Sequence, residues 1–217
     1  MDAVALVAAW ARGFALAQAH HARPVEKLAD TLVAHLAVHE TGHLVVLWAC
    51  TATEAIGPIW IDPNATTPGA VAGTVVAGVV TTEPDLGSAE DSACLWCHLV
   101  VLLAGVASEA LVFGGVVGQR GDVERALVVA ETLVAKGFEP PRTVWSGSIG
   151  SVESPLVLVE AAFLQAWSLI EKCGPRFDEV VRLLLEKGSL EESDLTPILG
   201  ERLSTKALGK SESTFVY

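Results

Sequence analysis

The segment Leu36-Ala-Val-His-Glu-Thr-Gly-His-Leu-Val-Val-Leu-Trp48 carries the strongest structural signal in the sequence. This apolar run, typical of a buried helix, is interrupted by His39, Glu40 and His43. On a helix, histidines four residues apart lie on one face, one turn from each other. Two neutral imidazoles so placed can bind one zinc ion at about 2.0–2.1 Å. Glu40 is rotated by roughly 100° from His39, so that its carboxylate lies beside the metal and can accept a proton from water. This is the H-E-x-x-H arrangement of zinc hydrolases.

A purely structural interpretation of these residues also exists, because histidines on apolar helices often only pack in the core. Burying two imidazoles and a carboxylate together without a metal would cost several kcal/mol. The pattern therefore favours zinc, with Glu40 as the catalytic base and His39 and His43 as ligands.

Composition bounds the class of protein. The chain has 217 residues, of which 51% are hydrophobic, enough for one well-filled domain, which we expect over residues 1–203. The formal charge of −12 argues against a nucleic-acid partner, which needs a clustered basic surface. Four cysteines in a chain of this length do not indicate a disulfide framework. We expect a cytoplasmic protein.

The pattern of apolar residues predicts a mainly α fold, of the helical zincin type, with a small β-hairpin or edge strand beside the active site. The expected helices are an N-terminal one within 1–22, then 25–52, 92–113, 123–136, 155–173, 175–187 and 191–203. The expected strands are 59–61 and 71–80, and the tail 204–217 is expected to be disordered. The second strand can hold an extended peptide by β-augmentation. The residues expected to bind the substrate backbone are Gly73, Thr74, Val75 and Val76.

The membrane-like segments are interpreted as buried helices. Leu95 to Gly118 is the most apolar stretch, but it contains His98 and Glu109. The amino end carries Asp2 rather than a basic residue, which is atypical of a secretory signal. We therefore expect no integral membrane span.

A catalytic zinc site needs a third protein ligand and an open position. Val46 and Ala49 occupy the positions where a metzincin has glycine and histidine, so that class is excluded. A later glutamate of the thermolysin type remains open, and the candidates are Glu54, Glu83, Glu90 and Glu109. Asp122 follows a glycine-rich turn, and its position alone indicates a helix cap.

Four segments share a pattern: Ala37 to Val46, Leu103 to Gly114, Gly118 to Asp122 and Leu183 to Leu190. Together they resemble the peptidase domain of the FtsH-type membrane AAA proteases. The first segment is similar to the family's His-Glu-Ala-Gly-His motif, and the second is similar to its glycine-, glutamate- and phenylalanine-containing helix. Gly118-Gln-Arg-Gly-Asp122 resembles its glycine-x-x-asparagine-aspartate turn, and Leu183 to Leu190 its closing leucine-glutamate-lysine segment. The similarity covers roughly residues 25 to 200, in the family's order.

The resemblance implies that Asp122 is the third zinc ligand and that Glu109 lies behind the ligands, where it orients a histidine. Gly121 departs from the family pattern, which has asparagine there. The family's ATPase module and transmembrane helices have no counterpart in these residues. The resemblance thus implies an ATP-independent peptidase acting on unfolded or flexible polypeptides, and leaves open a homo-oligomer and an ATPase partner in trans.

The alternative to an enzyme is an inactive relative that retains zinc and serves as an adaptor or assembly module. Glu40 weighs against it, since a structural zinc site has no use for a base.

Cys94-Leu-Trp-Cys97-His98 matches the c-type haem pattern, but helical spacing explains the cysteine pair and no methionine beyond Met1 offers an axial ligand. His35, one turn before His39, is within reach of the site, but we expect it to pack or to face water.

Overall fold

The computed structural model describes residues 28, 31–50, 58–62, 77–79, 92–116, 120–141 and 154–202. These residues form six helices and three short strands, which confirms the prediction of a mainly α fold with a small β-hairpin. The elements in chain order are α1 (Leu32–Ala49), β1 (Ile59–Ile61), β2 (Ala77–Val79), α2 (Ser92–Phe113), α3 (Arg120–Ala135), α4 (Pro155–Cys173), α5 (Pro175–Lys187), β3 (Ser189–Leu190) and α6 (Glu192–Leu199).

Helix α2 forms the centre of the core and packs against α1, α3 and α4. Its residues from Leu95 to Leu111 are buried on all sides, apart from His98, which is half-buried. Helices α1 and α2 run antiparallel and very close together at Gly42. A Cβ added to Gly42 would lie 2.4 Å from Ser108 Oγ and 2.5 Å from the Ala104 carbonyl oxygen. This close approach brings the zinc-motif helix within hydrogen-bond reach of α2.

Helix α1 is shorter at both ends than the sequence predicted. We expected a helix from 25 to 52, but it begins at Leu32, because Thr31 is its N-cap and Thr31 Oγ1 accepts a hydrogen bond from Ala34 N–H at 3.2 Å. A threonine at this position satisfies one of the free N–H groups of the first turn. The helix ends at Ala49, after which Cys50 is extended.

Helix α3 begins at Arg120, three residues before the expected start, which places Asp122 inside the first turn of α3. Helix α6 ends at Leu199, four residues before the expected end, where Gly200 takes a φ of +86°. The expected bounds of α2, α4 and α5 agree with the structure.

The three strands form an antiparallel sheet in the order β2-β1-β3. Strand β1 pairs Trp60 with Gly78 on one side and with Ser189 on the other. The hairpin of β1 and β2 was expected; β3 was not, because a two-residue strand carries no alternation that a sequence could reveal. The sheet packs on α1, so it lies beside the zinc-motif helix.

Three predictions fall outside the described residues. They are the N-terminal helix within 1–22, the tail 204–217 and the substrate strand at Gly73, Thr74, Val75 and Val76. Of the expected strand 71–80, the described part is Ala77–Val79.

The prediction that the chain has no integral membrane span is wrong as an exclusion. Among the described helices, α1 and α2 are each long and apolar enough to cross a membrane by length and composition. The sequence argument relied on His98 and Glu109 to rule out a span, yet two polar residues leave α2 apolar overall. Both helices are largely buried inside the protein, and a helix that is apolar all round is compatible with a protein core or a bilayer.

Candidate metal centre

Successive turns of α1 and α2 face each other and fix the histidine rings. His43 Nδ1 lies 2.7 Å from the Val101 carbonyl oxygen. A carbonyl can only accept, so Nδ1–H donates, and the lone pair of a neutral ring is then on Nε2. The backbone of α2 thus presents His43 Nε2 as a metal ligand.

His39 is held in the same way one turn earlier. Its Nδ1 lies 2.8 Å from Glu109 Oε1, and Glu109 is completely buried. Because the carboxylate accepts from Nδ1–H, Nε2 is again left to face the site. The ring occupies the space over Gly105: a Cβ added there would lie 2.3 Å from His39 Cε1. The bare glycine backbone is therefore a cradle for this imidazole.

Asp122 completes a three-atom cluster with the two rings. His39 Nε2 lies 2.9 Å from His43 Nε2 and 3.1 Å from Asp122 Oδ2, and His43 Nε2 lies 3.5 Å from the same oxygen. In a tetrahedral zinc site, ligand atoms at about 2.0–2.1 Å from the ion are about 3.3 Å from one another. The three distances between the Nε2 and Oδ2 atoms therefore suit a single small cation. Among the described residues, the three donors form a group that can hold a metal ion.

The electrostatic interactions within the cluster favour a positive charge at its centre. Burial opposes the charged form of His39, but the hydrogen bonds to Asp122 and Glu109 and the nearby carboxylates outweigh it and raise the pKa of His39 to about 10. Burial also disfavours the charged form of Asp122, yet its contacts with His39 and His43 hold the pKa of that carboxyl well below its usual range. A divalent cation bound by the three donors would supply this positive charge.

Glu40 lies in the same buried region. Its side chain is mostly withdrawn from water, and burial raises its pKa although His43 and His39 oppose the shift. A carboxylate whose proton affinity is raised by burial is suited to general-base chemistry.

The structure narrows the alternatives for a third ligand. Glu109 contacts the Nδ1 side of His39, away from the cluster of Nε2 atoms. The other glutamates considered, Glu54, Glu83 and Glu90, lie outside the described residues. Asp122 lies where the resemblance placed it, beside both rings, and its role as a ligand stays a prediction.

Two residues that shape the site received no role there from the sequence. His35 packs, which was one of the expectations: it is buried, and its Nδ1 lies 3.2 Å from Glu109 Oε2. Gly105 was read only as part of a motif. The signal for both was helical spacing: His35 is one turn before His39, and Gly105 is one turn before Glu109.

No protein-family model matches the chain. Among curated proteins, it is 28% identical over 199 residues to the "ATP-dependent zinc metalloprotease FTSH 3, mitochondrial" of Arabidopsis thaliana, across 83% of this chain. It is 27% identical to FTSH 10 of the same plant across 83% of the chain, and 26% identical to the mouse "Mitochondrial inner membrane m-AAA protease component AFG3L1" across 77%.

The chain is similar to FtsH-type zinc metalloproteases. This confirms the resemblance that the motifs indicated and supports a metalloprotease-type function. The chain spans 23% of the length of each of these relatives, so the activity of the whole FtsH-type protein does not transfer with the similarity. The name of the mouse relative places that protein at the mitochondrial inner membrane.

Proposed function

We propose that this chain is a zinc metallopeptidase that hydrolyses peptide bonds of unfolded or flexible polypeptides, and that the cleavage step consumes no ATP. The observation that carries the proposal is the convergence of His39 Nε2, His43 Nε2 and Asp122 Oδ2 within 3.5 Å of one another. The buried Glu40 interacts electrostatically with all three residues. The FtsH-type relatives, named as zinc metalloproteases, support zinc as the metal.

In this proposal His39, His43 and Asp122 hold the zinc ion. Bound zinc would supply Lewis acidity toward water and toward the scissile carbonyl. Glu109 and the Val101 carbonyl fix the tautomers of the two rings, so that both Nε2 lone pairs point to one position. Such outer partners also keep the rings oriented while substrate enters and leaves.

Glu40 carries out the proton transfers. Its carboxylate accepts a proton from the attacking water and then delivers it to the nitrogen of the leaving amine, so that the base is regenerated at the end of each cycle. Water, a base and a metal are sufficient for this chemistry, and a nucleotide has no role in it. Supply of unfolded substrate is a separate matter from the cleavage step.

Replacement of Glu40→Gln tests the mechanism. The amide cannot accept the proton, so we expect zinc to stay bound while casein hydrolysis falls by at least about 100-fold, the lower end of the range for general-base catalysis. The measurement is release of fluorescent fragments from labelled casein without ATP, beside zinc content by atomic emission. Glu131→Gln, an exposed carboxylate on α3, is the matched control and should cleave like the parent.

Two outcomes would contradict the proposal. Equal cleavage by Glu40→Gln and the parent would exclude Glu40 as the base. A parent that binds zinc but cleaves no unstructured protein would instead support the adaptor alternative, in which zinc only stabilises the domain.

A further inference from the structure

His35 occupies a fixed position one turn before His39 on α1. It is buried, and its ring stacks on Phe113 at the end of α2, with ring centroids 3.8 Å apart and planes inclined by 25°. Stacking against a flat aromatic face restricts rotation of the imidazole. The ring is thus held between two helices rather than free to reorient.

Glu109 is shared between this ring and the ring of His39. Its Oε1 lies 2.8 Å from His39 Nδ1, and its Oε2 lies 3.2 Å from His35 Nδ1. An ionised carboxylate only accepts hydrogen bonds, so each ring donates through Nδ1–H, one to each oxygen. Two donors on opposite oxygens restrain the plane of the carboxylate, and loss of the donor on Oε2 weakens that restraint.

We propose that His35 is a positioning residue for the metal centre: by holding Glu109 Oε2, it keeps Oε1 on His39 and thereby sets the orientation of His39 Nε2 toward the metal. The inference rests on the proposed function, since it requires that His39 binds zinc. His35 contacts Glu109, at 3.2 Å from Nδ1 to Oε2, and acts on His39 through it. Packing alone does not require a histidine here, because leucine would fill a similar space against Phe113.

The test compares zinc affinities of the full chain and its variants by competition with a chromophoric chelator, and records the cobalt(II) absorption spectrum as a probe of ligand geometry. His35→Leu keeps the bulk but removes the donor, and we expect about tenfold weaker zinc binding, the lower end of the effect of outer partners of metal ligands. His35→Asn restores an amide N–H near the position of Nδ1 and should recover most of the affinity. Phe113→Leu removes the stacking but leaves the donor, so it should bind zinc more tightly than His35→Leu.

The conservative variants keep the test decisive if His35→Leu fails to fold. His35→Gln has a similar polarity to His35→Asn but carries its amide one bond further out, so His35→Asn should bind more tightly than His35→Gln and retain the parent cobalt spectrum. Equal affinities of His35→Asn and His35→Gln, or parent-like affinity of a folded His35→Leu, would overturn the inference and leave His35 a packing residue. A parent chain that binds no zinc would overturn the proposed function, and this inference with it, which distinguishes the two failures.

Discussion

Gly105 lacks a side chain at the point where His39 needs space. Alanine in a helix interior is normally favoured over glycine by about 1 kcal/mol, but a Cβ at this position would lie 2.3–2.5 Å from three atoms of the imidazole. We expect Gly105→Ala to displace the ring and to lower the free energy of unfolding by about 1–3 kcal/mol, as overpacking does. Zinc affinity should fall as well, because His39 Nε2 moves away from His43 and Asp122.

Gly121→Ala is the matched control for this prediction. Gly121 is exposed in the first turn of α3, and a Cβ there would meet nothing within 4 Å. This substitution should leave stability unchanged or raise it by up to about 1 kcal/mol. Urea unfolding of both variants measures the difference, and a Gly105→Ala chain as stable as Gly121→Ala would show that the cradle is not tight.

At the scale of single residues, the sequence predicted what short-range spacing encodes. The pairing of His39 with His43 and the position of Glu40 follow from one helical turn. The meeting of Asp122 with these rings spans 83 residues, and no local pattern contains it; the family resemblance supplied it. The link from His35 to Glu109 was equally out of reach, since which face of α1 meets α2 depends on the packing of both helices.

Among the helices, α1 and α2 face each other with residues spaced four apart on each of them. His35, His39 and His43 rise along one helix, and Glu109, Gly105 and Val101 descend along the other. A repeat of four residues on each helix makes this possible. Polar or glycine residues at this spacing identify Gly105 and Glu109 on α2. They do not reveal Val101, which acts through its backbone carbonyl, or which helix packs opposite.

The last helix, α6, offers a prediction about pH. Asp194 accepts a hydrogen bond from Glu191 N–H at 3.0 Å, in a capping box, and another from Lys187 Nζ at 2.6 Å. The backbone hydrogen bond, and then Lys187, hold the pKa of Asp194 below its usual 3.8. The stability from this lowered pKa is therefore present above pH 3.8 and is lost as the pH falls through the lower pKa of the folded state.

We expect Asp194→Asn to melt slightly below the parent at neutral pH and to converge with it in acid below pH 3.8. Thermal unfolding by circular dichroism over a series of pH values measures this. Glu201→Gln, which removes an exposed carboxylate just beyond α6, should show no such pH-dependent difference. A gap between Asp194→Asn and the parent that widens in acid would contradict the assigned role.

At the scale of the whole molecule, the metal centre joins segments that are distant in sequence. His39 and His43 come from α1, Asp122 comes from α3, and α2 lies between them in sequence and supplies Glu109 and Val101 to orient the rings. His39 contacts both carboxylates, Glu109 at 2.8 Å through Nδ1 and Asp122 at 3.1 Å through Nε2. A cation that binds all three donors would tie α1 to α3 across the central helix.

Zinc should therefore stabilise the entire fold, because an unfolded chain cannot present the three donors together. At free zinc of 100 times the dissociation constant, linkage gives about 2.7 kcal/mol, which for a domain of this size raises the melting temperature by roughly 5–10 °C. Scanning calorimetry in zinc buffer and in EDTA measures the shift. Asp122→Asn removes one charged donor, so its shift at the same zinc concentration should be much smaller, whereas Glu131→Gln should behave like the parent. Equal melting temperatures of the parent with zinc and with EDTA would mean that the three donors do not bind the ion as a unit, and the convergence of α1 and α3 would then need another explanation.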